Sequence, residues 1–170
     1  KFLLFFIPVY IVYLSLKGRL QNWWLLFASY VFYASWDWRF LFLLLFTTAV
    51  DYASGIWMDQ SKTPQARKQF LMLSLGTNLL VLGFFKYFNF FAGSFVRLLN
   101  AAGFSADPVL INILLPVGVS FYTFQSMSYT IDVYRKEIKP TYKFFDFALF
   151  VAFFPQLLSG PIERAKTLLP

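Results

Sequence analysis

Long stretches without charge alternate along the chain with short polar ones. Residues 2–16, 20–36, 70–85 and 108–131 each lack Asp, Glu, Lys and Arg. A helix needs about 20 apolar residues to cross roughly 30 Å of hydrocarbon, so these runs predict helices that cross a bilayer or nearly do. The expected elements are a helix over 2–16, a second over about 20–36, a third over about 40–58 and a fourth over about 70–85. Trp23, Trp24, Trp36 and Trp38 frame the second as interfacial anchors. The stretch DQSKTPQARKQ, residues 59–69, is expected to be a polar loop. After residue 85, Lys86, Asn89, Gly93 and Arg97 recur at helical spacing, while Phe84, Phe88, Phe91 and Phe95 take the other side. Such a two-faced pattern suits a separate helix lying in the membrane interface, followed by a loop at NAAGFSADP. The fold class is therefore all-α, a polytopic transmembrane bundle forming one domain over residues 1–170. A signal peptide fits the first run poorly, because no small-residue cleavage site follows it and further spans do. No internal repeat is visible, which argues against a repeat-built transporter.

Two polar stripes run into membrane depth. Thr47, Asp51, Ser54 and Gly55 share one face of the third helix. A carboxylate at the centre of a span costs about 2.5–3.5 kcal/mol to insert, so Asp51 must face protein or water. It serves either as hydrogen-bonding glue between helices or as part of a substrate path. The second stripe lies in LPVGVSFYTFQSMSYTIDVYR, residues 115–135, where Gln125, Ser128, Asp132 and Arg135 step by 3, 4 and 3 with Gly118 and Phe121 continuing the face. Pro116 predicts a kink or a helix start. Asp132 and Arg135 either pair with each other or line a tunnel.

Composition supports the membrane assignment: 59% of residues are hydrophobic and 14% charged, against about 25% charged in soluble domains. The net charge of +7 is distributed for a bilayer rather than for nucleic acid. If successive runs alternate in direction, the connections near 17–22, 59–69 and 135–143 share one side and carry nine basic residues. The opposite connections carry three, Arg39, Lys86 and Arg97. Lys and Arg concentrate on the cytoplasmic side of spans, which places the N-terminus of this multi-pass chain outside. There is no Cys and no His, so Cys- or His-ligated zinc, thiolate nucleophiles and imidazole bases are absent from these residues. A zinc- and Cys-dependent acyltransferase of the palmitoylating kind is excluded.

The last stretch, FFPQLLSGPIERAKTLLP, breaks an apolar run at Pro155 and again at Ser159, Gly160 and Pro161 before Glu163, Arg164 and Lys166. Residues 144–158 are too few for a comfortable crossing. Gly160 as cap, Pro161 at the first helical position and Glu163 at the third predict a new helix there. The break is either an interfacial turn or a cavity-lining discontinuity, which membrane depth tolerates only where protein or water satisfies the backbone.

The blocks 115–135 and 144–170, in this order and spacing, resemble the membrane-bound O-acyltransferase family, on its bacterial alginate O-acetyltransferase-like branch. The match of YASWDWRFLFLLLFTTAVDYASG is looser. The resemblance implies a larger helical bundle around a tunnel in which a histidine promotes acyl transfer to a hydroxyl. Since these residues contain no His, it implies that this is the N-terminal part of a longer domain with its catalytic histidine downstream. The positions carried over as tunnel-wall or structural residues are Gln125 and Asp132 in the first block, and Pro155, Gln156, Gly160, Pro161 and Arg164 in the second. With Ser128 and Arg135 from the stripe, the substrate-tunnel candidates are Gln125, Ser128, Asp132, Arg135, Gln156, Gly160, Pro161 and Arg164, with Asp51 as the buried polar residue and no metal ligand.

The expected activity is O-acylation, most readily acetylation, of a cell-envelope or exported polysaccharide hydroxyl. The expected partners are the lipid bilayer, an acyl donor such as acetyl-CoA, and a polysaccharide or a periplasmic acyl-accepting protein; no bound cofactor and no nucleic acid are expected. The rival is a non-enzymatic polytopic protein, an envelope-lipid transporter or an assembly scaffold. An apolar segment bearing an isolated His beyond residue 170 separates the two.

Overall fold

The computed structural model describes residues 2–35, 37–103 and 118–155. Among them are six helices and no strand: α1 (Phe2–Ser15), α2 (Arg19–Ala34), α3 (Trp38–Gln60), α4 (Pro64–Ala101), α5 (Val119–Tyr134) and α6 (Phe144–Ala152). The protein is an all-helical bundle with large apolar side chains facing outward, Leu4, Leu80, Phe42 and Phe90 among them. That surface belongs in lipid. Two segments, Trp38–Gln60 and Pro64–Phe88, are long and apolar enough to cross a membrane.

Local chemistry sets the helix ends. Asp37 caps α3 by accepting from the Arg39 amide at 2.9 Å, which starts the helix at Trp38 rather than Phe40. Thr63 accepts from the Ala66 amide at 3.3 Å and Pro64 takes the first helical position. The expected loop over 59–69 therefore shrinks to residues 61–63, and 64–69 are already helix. Their charges mark a position outside the apolar layer, not outside the helix. At the other end, residues 86–101 do not form a separate element but continue α4, which reaches 38 residues. No proline interrupts it, and its glycines, at about 1 kcal/mol each relative to Ala, do not stop it. α5 starts one residue after Gly118, whose φ of 77° only glycine adopts freely. It ends with Lys136 at φ 62°. The Glu137 amide donates to the Asp132 carbonyl there at 3.0 Å, a left-handed cap formed without glycine.

α6 stops at Ala152, not at 158. Pro155 supplies the reason, since its ring would meet the carbonyl four residues back if the helix ran on. The expected break at Gly160 and Pro161 lies outside the described residues, as do Pro116, Trp36, Gln156 and Arg164. Trp23 and Trp38 are exposed, and Trp24 is half-buried. Its indole donates to the Val9 carbonyl at 3.0 Å and ties α2 to α1.

The ends of α3 and α5 and the start of α4 meet through Arg67. Its guanidinium donates to the carbonyls of Met58 (2.8 Å), Val133 (3.2 Å) and Tyr134 (3.1 Å), placing a cation at the carbonyl ends of two helices. At the same end Tyr142 donates to Asp59 at 2.8 Å. Accepting that bond, the carboxylate holds the Tyr142 hydroxyl above its ordinary pKa. Trp23 packs on Phe145 with centroids 4.0 Å apart, bringing the start of α6 beside the start of α2. The connections near 17–22, 59–69 and 135–143 thus share one end of the bundle.

Candidate functional site: a polar layer at mid-depth

Counting from that end, Ser29 lies ten residues into α2, Asp51 nine before the end of α3, and Ser74 ten into α4. Gln125 and Ser126 lie nine and eight before the end of α5. At 1.5 Å per residue all five sit about 12–15 Å from that end of the bundle, at one common level. All are buried. They form two adjoining clusters.

The first cluster joins α3, α4 and α5. Asp51 Oδ1 accepts from the Ser74 hydroxyl at 2.6 Å and from Asn78 Nδ2 at 2.8 Å. Oδ2 accepts from Asn78 Nδ2 at 2.9 Å and from the Ser126 hydroxyl. Thr130 lies 3.1 Å from Ser74. Both carboxylate oxygens are therefore occupied by protein donors, and Asp51 offers no free oxygen to a metal or a substrate. Around it, Thr47, Thr48, Ser54, Gly55 and Met58 are buried too, so the face read from their spacing is the packed face of α3. Gly55 packs closely on α5: a Cβ there would meet Cε1 and the hydroxyl of Tyr129 at 3.1 Å, so the ring would have to give by a few tenths of an ångström.

The second cluster joins α2, α5 and α6. Gln125 Nε2 donates to the Phe150 carbonyl at 2.8 Å. The Phe154 amide, just past the end of α6, donates to the Ser29 hydroxyl at 3.3 Å. Gln125 and Ser126, neighbours in sequence, thus face different helices.

The expected stripe on α5 is only partly one surface. Gln125 faces α6, and Ser128 donates to the Gln125 carbonyl of its own helix at 2.8 Å. Asp132 is buried near the basic end, while Arg135 is exposed and faces Glu137 at 3.8 Å in place of Asp132. Gln156, Gly160, Pro161 and Arg164 are outside the described residues. Ser74, Asn78, Ser126 and Ser29 were not expected. Ser74 and Asn78, like Ser126 and Thr130, stand four apart in apolar sequence, a pairing that puts both on one helix face.

No protein-family model and no solved structure matches the chain. Curated proteins do. A probable alginate O-acetylase of Pseudomonas aeruginosa is 44% identical over 98% of this chain, and one of Azotobacter vinelandii is 41% identical over 98%. A peptidoglycan O-acetyltransferase of Helicobacter pylori is 31% identical over 99%. The chain spans about a third of these relatives: 32%, 34% and 37% of their lengths. A membrane protein by its apolar helices, the chain is along nearly its whole length a homologue of these acetylases, which are members of the membrane-bound O-acyltransferase family.

Proposed function

We propose that the full-length protein transfers an acetyl group to a hydroxyl of a cell-envelope or exported polysaccharide. The observation that carries this reading is 40–44% identity, over 98% of the chain, to proteins named alginate O-acetylases. The donor we propose is acetyl-CoA on the cytoplasmic side. Its thioester C–S bond breaks, an ester C–O bond forms at the acceptor, and the acceptor's proton passes to a base while the thiolate leaves. The described part of the chain contributes the frame: Asp51 joins three helices, and Gln125 and Ser29 hold the end of α6. The base lies in the length that the relatives have and these residues do not span, since no His is present here. Holding donor and acceptor in one site supplies much of the rate gain, because it removes the entropy cost of bringing them together. A periplasmic acyl-accepting protein is the alternative acceptor.

The reading is tested by deleting the gene and restoring it while O-acetyl esters on the exported polysaccharide are measured. Deletion is expected to remove them and the full-length protein to restore them; an unchanged ester content overturns the assignment.

The orientation proposed is that the end bearing nine basic residues faces the cytoplasm, with the N-terminus outside an inner membrane. Gln65→Cys is expected to react with an impermeant maleimide only after cells are opened. Reaction in intact cells reverses the topology.

A further inference from the structure

α6 ends inside the bundle, and its end is bridged by side chains from two other helices. Ala152 and Phe154 are each 1% exposed. The last four carbonyls of a helix have no amide of their own to accept, and in hydrocarbon each unsatisfied group costs several kcal/mol. Gln125 donates to one of them, the Phe150 carbonyl, at 2.8 Å. On the far side of the break the Phe154 amide donates to Ser29, whose own hydroxyl donates to the Leu25 carbonyl at 2.7 Å. Ser29 is fully buried and Gln125 is 1% exposed. Apolar residues at both places would be cheaper to bury, so what the two side chains add is a hold on the broken backbone. The Phe154 ring is seated as well, with Phe5 and Phe32 centroids each 5.5 Å away. The direction in which the chain leaves α6 is thereby tied to α1, α2 and α5.

We propose that Gln125 and Ser29 are positioning residues for acyl transfer: they fix the end of α6 and the break at Phe153 and Phe154 relative to α2 and α5. Neither is assigned a contact with donor or acceptor. The proposal rests on the acetyl-transfer reading above and makes a separate demand on turnover.

The test uses the full-length protein in membrane vesicles, with labelled acetyl-CoA and alginate oligosaccharides as probes. Gln125→Leu and Ser29→Ala are expected to accumulate, to lower kcat at least tenfold and to leave KM for acetyl-CoA within about twofold. Ser29→Thr, which keeps the hydroxyl, is expected to return kcat to within about threefold of the parent. The two sites are independent, so a variant that fails to accumulate leaves the other to decide. Parental kcat in both accumulating variants overturns the proposal, as does a Ser29→Thr protein as slow as Ser29→Ala. A parental protein that acetylates nothing sinks the acetyl-transfer reading instead. The positional claim then stands or falls on thiol reactivity at Phe153→Cys in a cysteine-free background, where Gln125→Leu is expected to raise the labelling rate at least fivefold. An unchanged rate refutes the hold on the break.

Discussion

Asp51→Ala is expected to cost the full-length protein most of its stability, whereas Asp51→Asn is expected to be mild. Alanine leaves the Ser74 hydroxyl, the Asn78 amide and the Ser126 hydroxyl without their acceptor in a site closed to water. Each orphaned group costs about 1–3 kcal/mol, and three together approach the 5–15 kcal/mol that typically holds a domain. Rotation of the serines onto their own helix carbonyls recovers part of this. Asparagine keeps one acceptor oxygen, and its new amide has an acceptor available, because Asn78 Oδ1 is buried without a partner. A paired Asn–Asn amide contact limits the loss to about 1 kcal/mol, the worth of one ordinary hydrogen bond. Accumulation and thermal unfolding in detergent read both variants. Asp51→Ala melting with the parent would remove the helix-joining role, and Asp51→Asn as damaged as Asp51→Ala would show that the charge itself is needed. Normal accumulation of Asp51→Asn with almost no acetyl transfer would move Asp51 from helix contact to substrate path.

The all-helical class and the shared end of the basic connections were legible because hydrophobic run length and charge placement report directly on the bilayer. Asp51 was legible for a related reason: a lone carboxylate inside a span has no local way to satisfy itself, so it announces a partner. Its partners were not legible. A serine or threonine in a helix can bond the carbonyl four residues back, as Thr48 does to Leu44 at 2.6 Å, so Ser74, Ser126 and Ser29 look the same in sequence whether or not they reach another helix. The α5 stripe is a different case. Helical spacing groups Gln125 with Ser128 and Asp132, but α5 is buried on several sides, and spacing does not say which neighbour each residue meets. Helix ends were missed where charge was read as a boundary. Thr63-Pro64 in front of a polar first turn is the cap signal that would have placed the start of α4, and Pro155 the one that would have placed the end of α6.

The 170-residue chain by itself is expected to insert in membranes and to transfer no acetyl group. Deprotonating an acceptor hydroxyl needs a base poised near neutral pH, and histidine is the side chain whose unperturbed pKa suits it; none is present. The carboxylates are poor substitutes because the described ones are engaged. Asp37 caps α3, Asp51 accepts from three side chains, and Asp59 accepts from Tyr142. Glu137 faces Arg135 at 3.8 Å and Asp146 faces Lys143 at 3.9 Å, so each stands against a cation at the basic end of the bundle. Asp132, seven per cent exposed, is held near the basic end of α5, about 10 Å from the polar layer by helical rise. Vesicles carrying the chain alone, given labelled acetyl-CoA and alginate oligosaccharides, are expected to form no labelled ester above the rate of empty vesicles. The full-length protein under the same conditions is expected to form it. Turnover by the 170 residues would refute a base outside them, and one of the engaged carboxylates would then have to be the group that takes the proton.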